Sequence, residues 1–170
     1  MGGDLVTITS RVPALLDYLF ALFSNDPTLG TAPAPSTVQV YDGPATTSLD
    51  APLKLFVGLT DPDNPAAEVA ADSVQEWASL GRRARNETVT IHCCAEAWSG
   101  VDDVRTLRVA VAGIVSAVET LMQADTTQFG GNVLFPDPGI TALAWPQNNT
   151  KDGAIARVQF DLTFRSRIGG

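Results

Sequence analysis

Cysteine and histidine are scarce in this chain of 170 residues, which has two cysteines, Cys93 and Cys94, and one histidine, His92. Two adjacent cysteines cannot form a disulfide framework, so the composition favours a reducing compartment. Neighbouring residues of a strand point to opposite faces, and these three side chains therefore cannot close a tetrahedral metal site. We predict two structural cysteines, a partly exposed histidine, no metal site and no cofactor.

Familiar catalytic motifs are missing as well. The chain has no Gly-x-Ser-x-Gly, and nucleophilic catalysis would have to use His92 from the middle of a predicted strand. Two carboxylate pairs, Asp102 with Asp103 and Asp61 with Asp63, could in principle serve acid–base chemistry. Helix capping explains the first pair and turn propensity explains the second. The glycines lack the spacing of a phosphate-binding loop. We predict no catalytic or cofactor-binding residues and a protein that is not an enzyme.

Positive charge is in short supply, with 11 Lys and Arg against 19 Asp and Glu, a net charge of −8 and a pI near 4.4. This balance argues against a surface that grips nucleic acid or an anionic membrane. Residues 14–23 are apolar but too short to span a bilayer, and the positive start of a signal peptide is absent. With 45% hydrophobic residues, we expect one domain over residues 1–170.

Hydrophobic periodicity predicts two main helices and several strands. The helices occupy residues 12–23 and 104–122, where apolar residues recur at helical spacing, and Ser99 is the expected N-cap of the second. The strands occupy residues 38–41, 53–59, 87–98, 132–135, 140–145 and 156–165. We therefore predict an α+β fold in which the two helices pack on one face of a mostly antiparallel mixed sheet.

Residues 60–85 break the pattern of alternating elements. The segment is longer than packing between two strands requires, so we predict an exposed functional loop with one short helix around residues 66–80. Its acidic residues are Asp61, Asp63, Glu68, Asp72 and Glu76. The loop lies within the single domain.

Arginine greatly outnumbers lysine, nine to two. The planar guanidinium suits ordered pairing with carboxylates at interfaces, where lysine is depleted. Two interpretations stay open, a solvated surface and salt bridges between subunits of an oligomer. The candidate interface residues are Arg82, Arg83, Arg85, Arg105, Arg108, Arg157 and Arg165.

Several segments carry a family resemblance that spans nearly the whole chain. They are the first helix with residues 38–43 (VQVYDG), the start of a strand at 85–91 (RNETVTI), the helix termini at 100–105 (GVDDVR) and 118–121 (VETL), the turn at 126–133 (TTQFGGNV) and the strand at 156–165 (ARVQFDLTFR). Together they resemble the tail terminator, or tail completion, proteins of long-tailed bacteriophages. Each segment alone is a secondary-structure element with residues typical of that family.

The resemblance implies a structural virion protein that forms a ring, typically of six subunits. Such a ring caps the tail tube, ends tube polymerisation and joins the tail to the connector of the head, leaving a channel through which DNA passes without specific binding. It implies a location at the head–tail junction of the virion after assembly in the host cytoplasm. On this hypothesis Asp61, Asp63, Glu68 and Asp72 face the lumen or the tube, and the arginines bind acidic residues of a neighbouring subunit.

Two alternatives remain. Another neck subunit or a tail tube protein would use a similar small scaffold with strand pairing at sheet edges. A protein of another class, a small α+β enzyme or ligand-binding domain, would use a cleft near His92, Trp98 and Trp145. Replacing His92 with alanine separates the classes, because a structural protein loses no function.

Overall fold

The computed structural model describes residues 9–27, 29, 38–45, 51–64, 69–78, 83–101, 103–134, 139–150 and 153–169. The helices are α1 (Val12–Asn25), α2 (Val104–Ala124) and the short α3 (Gln128–Gly131). The strands are β1 (Gln39–Asp42), β2 (Leu53–Val57), β3 (Ala71–Trp77), β4 (Arg85–Ser99), β5 (Gly139–Ala144), β6 (Gln147–Thr150) and β7 (Gly153–Ile168).

Two long strands, β4 and β7, form the centre of the sheet. They pair antiparallel along their whole length, from Arg85 opposite Ile168 to Ser99 opposite Ala154. The other side of β4 pairs with β3 and then β2, and the other side of β7 pairs with β5 and β6. β1 pairs with β2 in parallel, so the sheet is mixed and mostly antiparallel. The predicted α+β class is confirmed.

The hydrophobic core joins the helices to alternate residues of the two central strands. Its members include Leu15, Leu19 and Phe23 of α1, Val111, Ile114 and Val118 of α2, Val89, Ile91 and Cys93 of β4, and Phe160, Leu162 and Phe164 of β7. Fully burying one such large apolar side chain contributes about 1.5–3 kcal/mol. The period of two in β4 and β7 therefore selects which face of the sheet is apolar, as the sequence predicts.

α2 begins at a different cap from the one predicted. Its N-cap is Asp103, whose carboxylate accepts a hydrogen bond from the Thr106 N–H at 2.8 Å, whereas the Ser99 hydroxyl accepts from the Val101 N–H. Aspartate caps helices well because its oxygen satisfies an N–H that the helix leaves free. By length and composition alone α2 could cross a membrane, but six of its residues are buried against the sheet, as in the core helix of a domain.

A buried carboxylate joins the start of α1 to the sheet. Glu87 of β4 is 1% exposed and accepts hydrogen bonds from four groups. One oxygen accepts from the hydroxyls of Ser10 (2.5 Å) and Ser73 (2.6 Å) and the amide of Gln75 (3.1 Å), and the other from the Arg11 N–H (2.8 Å). Burial alone would raise the pKa of Glu87, but these hydrogen bonds lower it, so the group is held as a carboxylate.

The expectation for residues 60–85 is wrong in two respects. Residues 71–77 form β3, which pairs with residues 85–91 of β4 in a hairpin, so the predicted helix at 66–80 is not formed there and the segment is not one long loop. The side chains of β3 are largely exposed on both faces, which removes the alternation that marks a strand. This strand is therefore stabilised by its hydrogen-bonded pairing with β4 and not by burial of its side chains.

The segment before β5 also departs from expectation. No strand is formed at residues 132–134, where the chain turns instead, and Gln128 and Phe129 both have positive φ angles of 55° and 53°. The Asp125 carboxylate accepts hydrogen bonds from the N–H groups of Thr127 (2.9 Å) and Phe129 (2.7 Å). These bonds stabilise the strained turn and direct the Phe129 ring into the core. The predicted turn at 148–153 is partly β6.

Candidate functional site

The sheet face that points away from the core carries two polar clusters, and we call this face the outer face. It is formed by even-numbered residues of β4 and odd-numbered residues of β7, because the opposite set lies in the core. The strand register places Glu96 directly opposite Arg157 and His92 directly opposite Asp161. Side chains that face each other across two strands are within contact distance. The register therefore creates the central pair of each cluster.

The first cluster surrounds Arg157 and ties the loop after β2 to the sheet. The guanidinium lies 2.7 Å from Glu96 Oε2, makes a bidentate contact with Asp63 at 2.6 and 2.9 Å, and lies 3.8 Å from Asp61. The Lys54 ammonium binds the other oxygen of Glu96 at 2.6 Å. Hydrogen bonding from Arg157 lowers the pKa of Asp63. This arrangement fixes a turn by ion pairing and leaves no unpaired carboxylate at its centre.

The second cluster surrounds His92. Its Nδ1 lies 2.6 Å from Asp161 Oδ1 on β7, and its Nε2 lies 3.1 Å from Asp72 Oδ2 on β3. Burial alone would lower the pKa of His92, but the hydrogen bonds that its ring donates to the carboxylates of Asp161 and then Asp72 raise it. Both ring nitrogens are engaged by carboxylates, so neither points at a nucleophile. Among the described residues, no group of His, Cys, Asp and Glu side chains could hold a metal ion.

The two cysteines are buried and unreactive in character. Burial raises the pKa of the Cys93 and Cys94 thiols to about 12. A thiol becomes a nucleophile or a metal ligand only as the thiolate, so neither group is activated at neutral pH. Cys93 lies in the main core, and Cys94 packs on the outer face with Phe56 and Leu59. Their surroundings are those of small apolar core residues.

A cavity of about 350 Å³ lies beside the Arg157 cluster. It is lined by Lys54, Pro62, Asp63, Glu96, Trp98, Ile155 and Arg157. Every charged side chain in this lining is bound to another one, so the cavity offers no unpaired charge to a ligand. Trp98 is thus near the cleft predicted from the sequence, but His92 and Trp145 do not line the cavity.

Each side of the sheet has an open strand with exposed apolar side chains, β3 beside β4 and β5 beside β7, and β1 ends the sheet beyond β2. In the part of the chain that the structure describes, β3 pairs only with β4, and β5 pairs only with β7. Val74 and Trp77 on β3 are 63% and 71% exposed, and Leu143 and Trp145 at β5 are 52% and 48% exposed. β5 contains no charged residue. Proteins usually protect open edges with charge or proline. β3 has such protection in Asp72 and Glu76, so the uncharged β5 edge is the unusual one.

The predicted interface arginines fall into two groups. Arg157 is bound within the chain and is only 13% exposed, so we withdraw it from the candidate interface. The others in the described segments form no salt bridge with a described residue, and they comprise Arg83, Arg85, Arg105, Arg108 and Arg165. Arg165 shares the exposed outer end of β7 with Arg167. Arg82 lies outside the described residues.

Three of the acidic residues expected to face the lumen or the tube form ion pairs within the chain. Asp61 and Asp63 contact Arg157, and Asp72 contacts His92. Glu68 lies outside the described residues. The sequence analysis did not predict Lys54 and Glu96 as site residues. The signal that could have found them is a single charged residue within an apolar stretch, Lys54 in residues 53–57 and Glu96 in residues 93–98.

Comparison with protein-family models gives no match, and comparison with curated proteins gives none either.

Proposed function

We propose that this chain is a ring-forming structural protein of the tail-terminator type. The observation that carries the proposal is the pair of open sheet edges, β3 on one side and β5 on the other, each with exposed apolar side chains. The ring would cap a tail tube, end its polymerisation and join it to the head connector. The resemblance of the sequence to tail terminators supplies the biological setting of the ring.

Two different edges on one subunit favour head-to-tail assembly. A strand at one edge can pair with the opposite edge of the next copy, and each such contact leaves a new open edge at the end of the chain of subunits. Contacts between unlike surfaces form a closed ring when the rotation between neighbours closes, and a filament when it does not. The proposed contact joins β3 of one subunit to β5 of the next.

Two arginines beside the β3 edge support contacts between copies. Arg83 and Arg85 lie at the β3–β4 hairpin, beside the β3 edge, and they form no salt bridge with a described residue. The chain as a whole carries a net charge of −8, so a neighbour offers many carboxylates. Arginine forms bidentate pairs with carboxylates and is enriched at interfaces. These residues would help to set the register of the contact.

The net charge also fits a channel that DNA crosses without binding. Six copies with −8 each would carry −48. Negative charge repels phosphate within about one Debye length, roughly 8 Å at physiological salt. Because Asp61, Asp63 and Asp72 are engaged within the chain, we assign this property to the total charge and not to those three residues.

The test is the particle that the pure protein forms, measured by native mass spectrometry and negative-stain imaging, alone and with purified tail tubes. We expect a closed ring in at least one of these conditions. Leu143→Lys should abolish the ring, because a charge on the edge strand opposes strand pairing. Val109→Lys is the matched control, since Val109 is a 65% exposed apolar residue of α2 and belongs to neither edge strand.

Three outcomes would contradict the proposal. Growth of the pure protein into long tubes identifies a tube protein instead. A monomer that neither forms a ring alone nor binds a tail tube excludes a terminator. A ring that tolerates Leu143→Lys but is lost with Val109→Lys places the contact on the helices and not on the sheet edges.

A further inference from the structure

His92 lies at the residue where β4 changes its pairing partner. β3 pairs with β4 up to Ile91, and β2 pairs with it from Cys93 onward. At the junction the main-chain N–H of His92 donates to the Ala70 carbonyl at 3.1 Å, and the main-chain carbonyl of His92 accepts from the Gly58 N–H at 2.8 Å. The side chain at this position therefore contacts the end of β3 where the strand begins.

The ring of His92 connects three strands. Its own strand is β4, and its two nitrogens contact carboxylates of β7 and β3, those of Asp161 and Asp72. Only the imidazolium can donate a hydrogen bond from both nitrogens. In the neutral ring one nitrogen becomes an acceptor and faces a carboxylate oxygen, which is repulsive. The two contacts can therefore coexist only in the protonated state.

The contact to Asp72 is the weaker of the two. It is longer, 3.1 Å against 2.6 Å, and the Asp72 side chain is 71% exposed against 30% for Asp161. Water competes with exposed ion pairs and salt screens them. A neutral ring would keep its remaining proton on Nδ1, toward Asp161. Loss of the proton thus acts on β3 and spares β7.

Other charged groups around the ring are already paired. On β4 the nearest outer-face carboxylate, Glu96, binds Lys54 and Arg157. In the loop after β2, Asp63 also binds Arg157. From the described residues of β3 and β7, the charges that act on the ring are therefore Asp72 and Asp161, and they raise its pKa.

We propose that His92 is a proton-dependent contact that holds β3 against the sheet. Protonated His92 binds Asp72 and Asp161 together, and deprotonation releases Asp72 and loosens the β3–β4 hairpin. The folded pKa is raised, so the stabilisation is complete below the ordinary histidine pKa and disappears as the pH rises through the folded pKa. This inference concerns a single chain and does not depend on ring formation. In the proposed ring of subunits, the same proton would control the β3 edge of each subunit.

The protonation state can be measured directly because His92 is the only histidine in the chain. Nitrogen NMR of the imidazole in the full-length protein should show both nitrogens protonated at pH 6, and a pKa above the usual value of about 6.5. Asp72→Asn should lower this pKa, because it removes one of the two carboxylates. Glu76→Gln is the matched control, since it neutralises another outer-face carboxylate of β3 that has no contact with the ring. A wild-type pKa at or below the ordinary value would overturn the proposal.

Hydrogen exchange then tests whether the proton acts on β3. Between pH 6 and 8.5, after correction for the intrinsic exchange rate, protection of the β3 amides should fall, while protection at the β4–β7 ladder should not. By linkage the fall is at most about tenfold for each unit by which the pKa is raised. Asp72→Asn should abolish this pH dependence and Glu76→Gln should preserve it. Protection of β3 that is constant with pH in the wild type would refute the proposal, whether or not the protein forms a ring.

Discussion

Replacing Glu87 with glutamine tests how much the hydrogen bonds of this buried carboxylate stabilise the fold. The amide oxygen can keep the three bonds from Ser10, Ser73 and Gln75, but the amide nitrogen then faces the Arg11 N–H. Two donors cannot pair, so one hydrogen bond is lost and a buried N–H is left unsatisfied.

The magnitude follows from the number and type of these bonds. A hydrogen bond to a charged group contributes about 1.5–3 kcal/mol, and an unsatisfied buried donor costs about 1–3 kcal/mol. The three remaining bonds weaken because the acceptor becomes neutral. Removing the burial cost of a charge offsets part of the loss. We expect a decrease of about 2–4 kcal/mol in the free energy of unfolding, or roughly 5–15 °C in Tm for a domain of this size.

Urea unfolding at fixed protein concentration measures this change, with Glu119→Gln on the exposed side of α2 as the control. The pKa of Glu87 is lowered in the folded state, so its contribution is present above the unfolded pKa and is lost as the pH falls through the folded pKa. Wild type and Glu87→Gln should therefore converge in acid. A difference at pH 7 below about 0.5 kcal/mol, the range of an ordinary surface substitution, would show that the Glu87 hydrogen bonds do not stabilise the fold.

Three further predictions concern other parts of the molecule. At pH 8 iodoacetamide should label Cys93 and Cys94 far more slowly in the native protein than in urea. A thiol with a pKa of about 12 has about a thousandfold less thiolate than one with the ordinary pKa of 9.0. Equal labelling rates by mass spectrometry would contradict the burial of the two thiols. Gly153→Ala should lower Tm, since its Cβ would lie 2.5 Å from the Ser99 carbonyl oxygen; an unchanged melting curve would disprove the clash. Arg157→Met should cost about 3 kcal/mol in denaturant unfolding by leaving buried carboxylate charge poorly paired, with Arg165→Met as a near-neutral control.

The elements that the sequence predicted well are those whose pattern is set by burial. α2, β4 and β7 each bury one face, so apolar residues recur with the period of the element. β3 has no such pattern, because it lies at an edge with Val74 and Trp77 exposed on opposite faces. A strand held by hydrogen bonds to a neighbour leaves little trace in its own composition.

The candidate site was predicted less well, and the reason is register. The chain gives no sign that Arg157 stands opposite Glu96, or His92 opposite Asp161, until the pairing of β4 with β7 is known. Arg157 was therefore expected to be an interface residue and is an internal one. The histidine was expected to be structural and partly exposed, and its burial and contacts fit that interpretation.

The long β4–β7 pairing has a consequence for how the chain folds. Residues 100–152 separate the two strands in sequence, so the chain must close a large loop before their contacts form. Folds dominated by such distant pairings form slowly. A slip of β7 by one residue would turn Arg157 and Asp161 toward the apolar layer and its core residues, such as Phe160 and Leu162, toward water. The same charges that hold the finished sheet therefore penalise incorrect pairing while it forms.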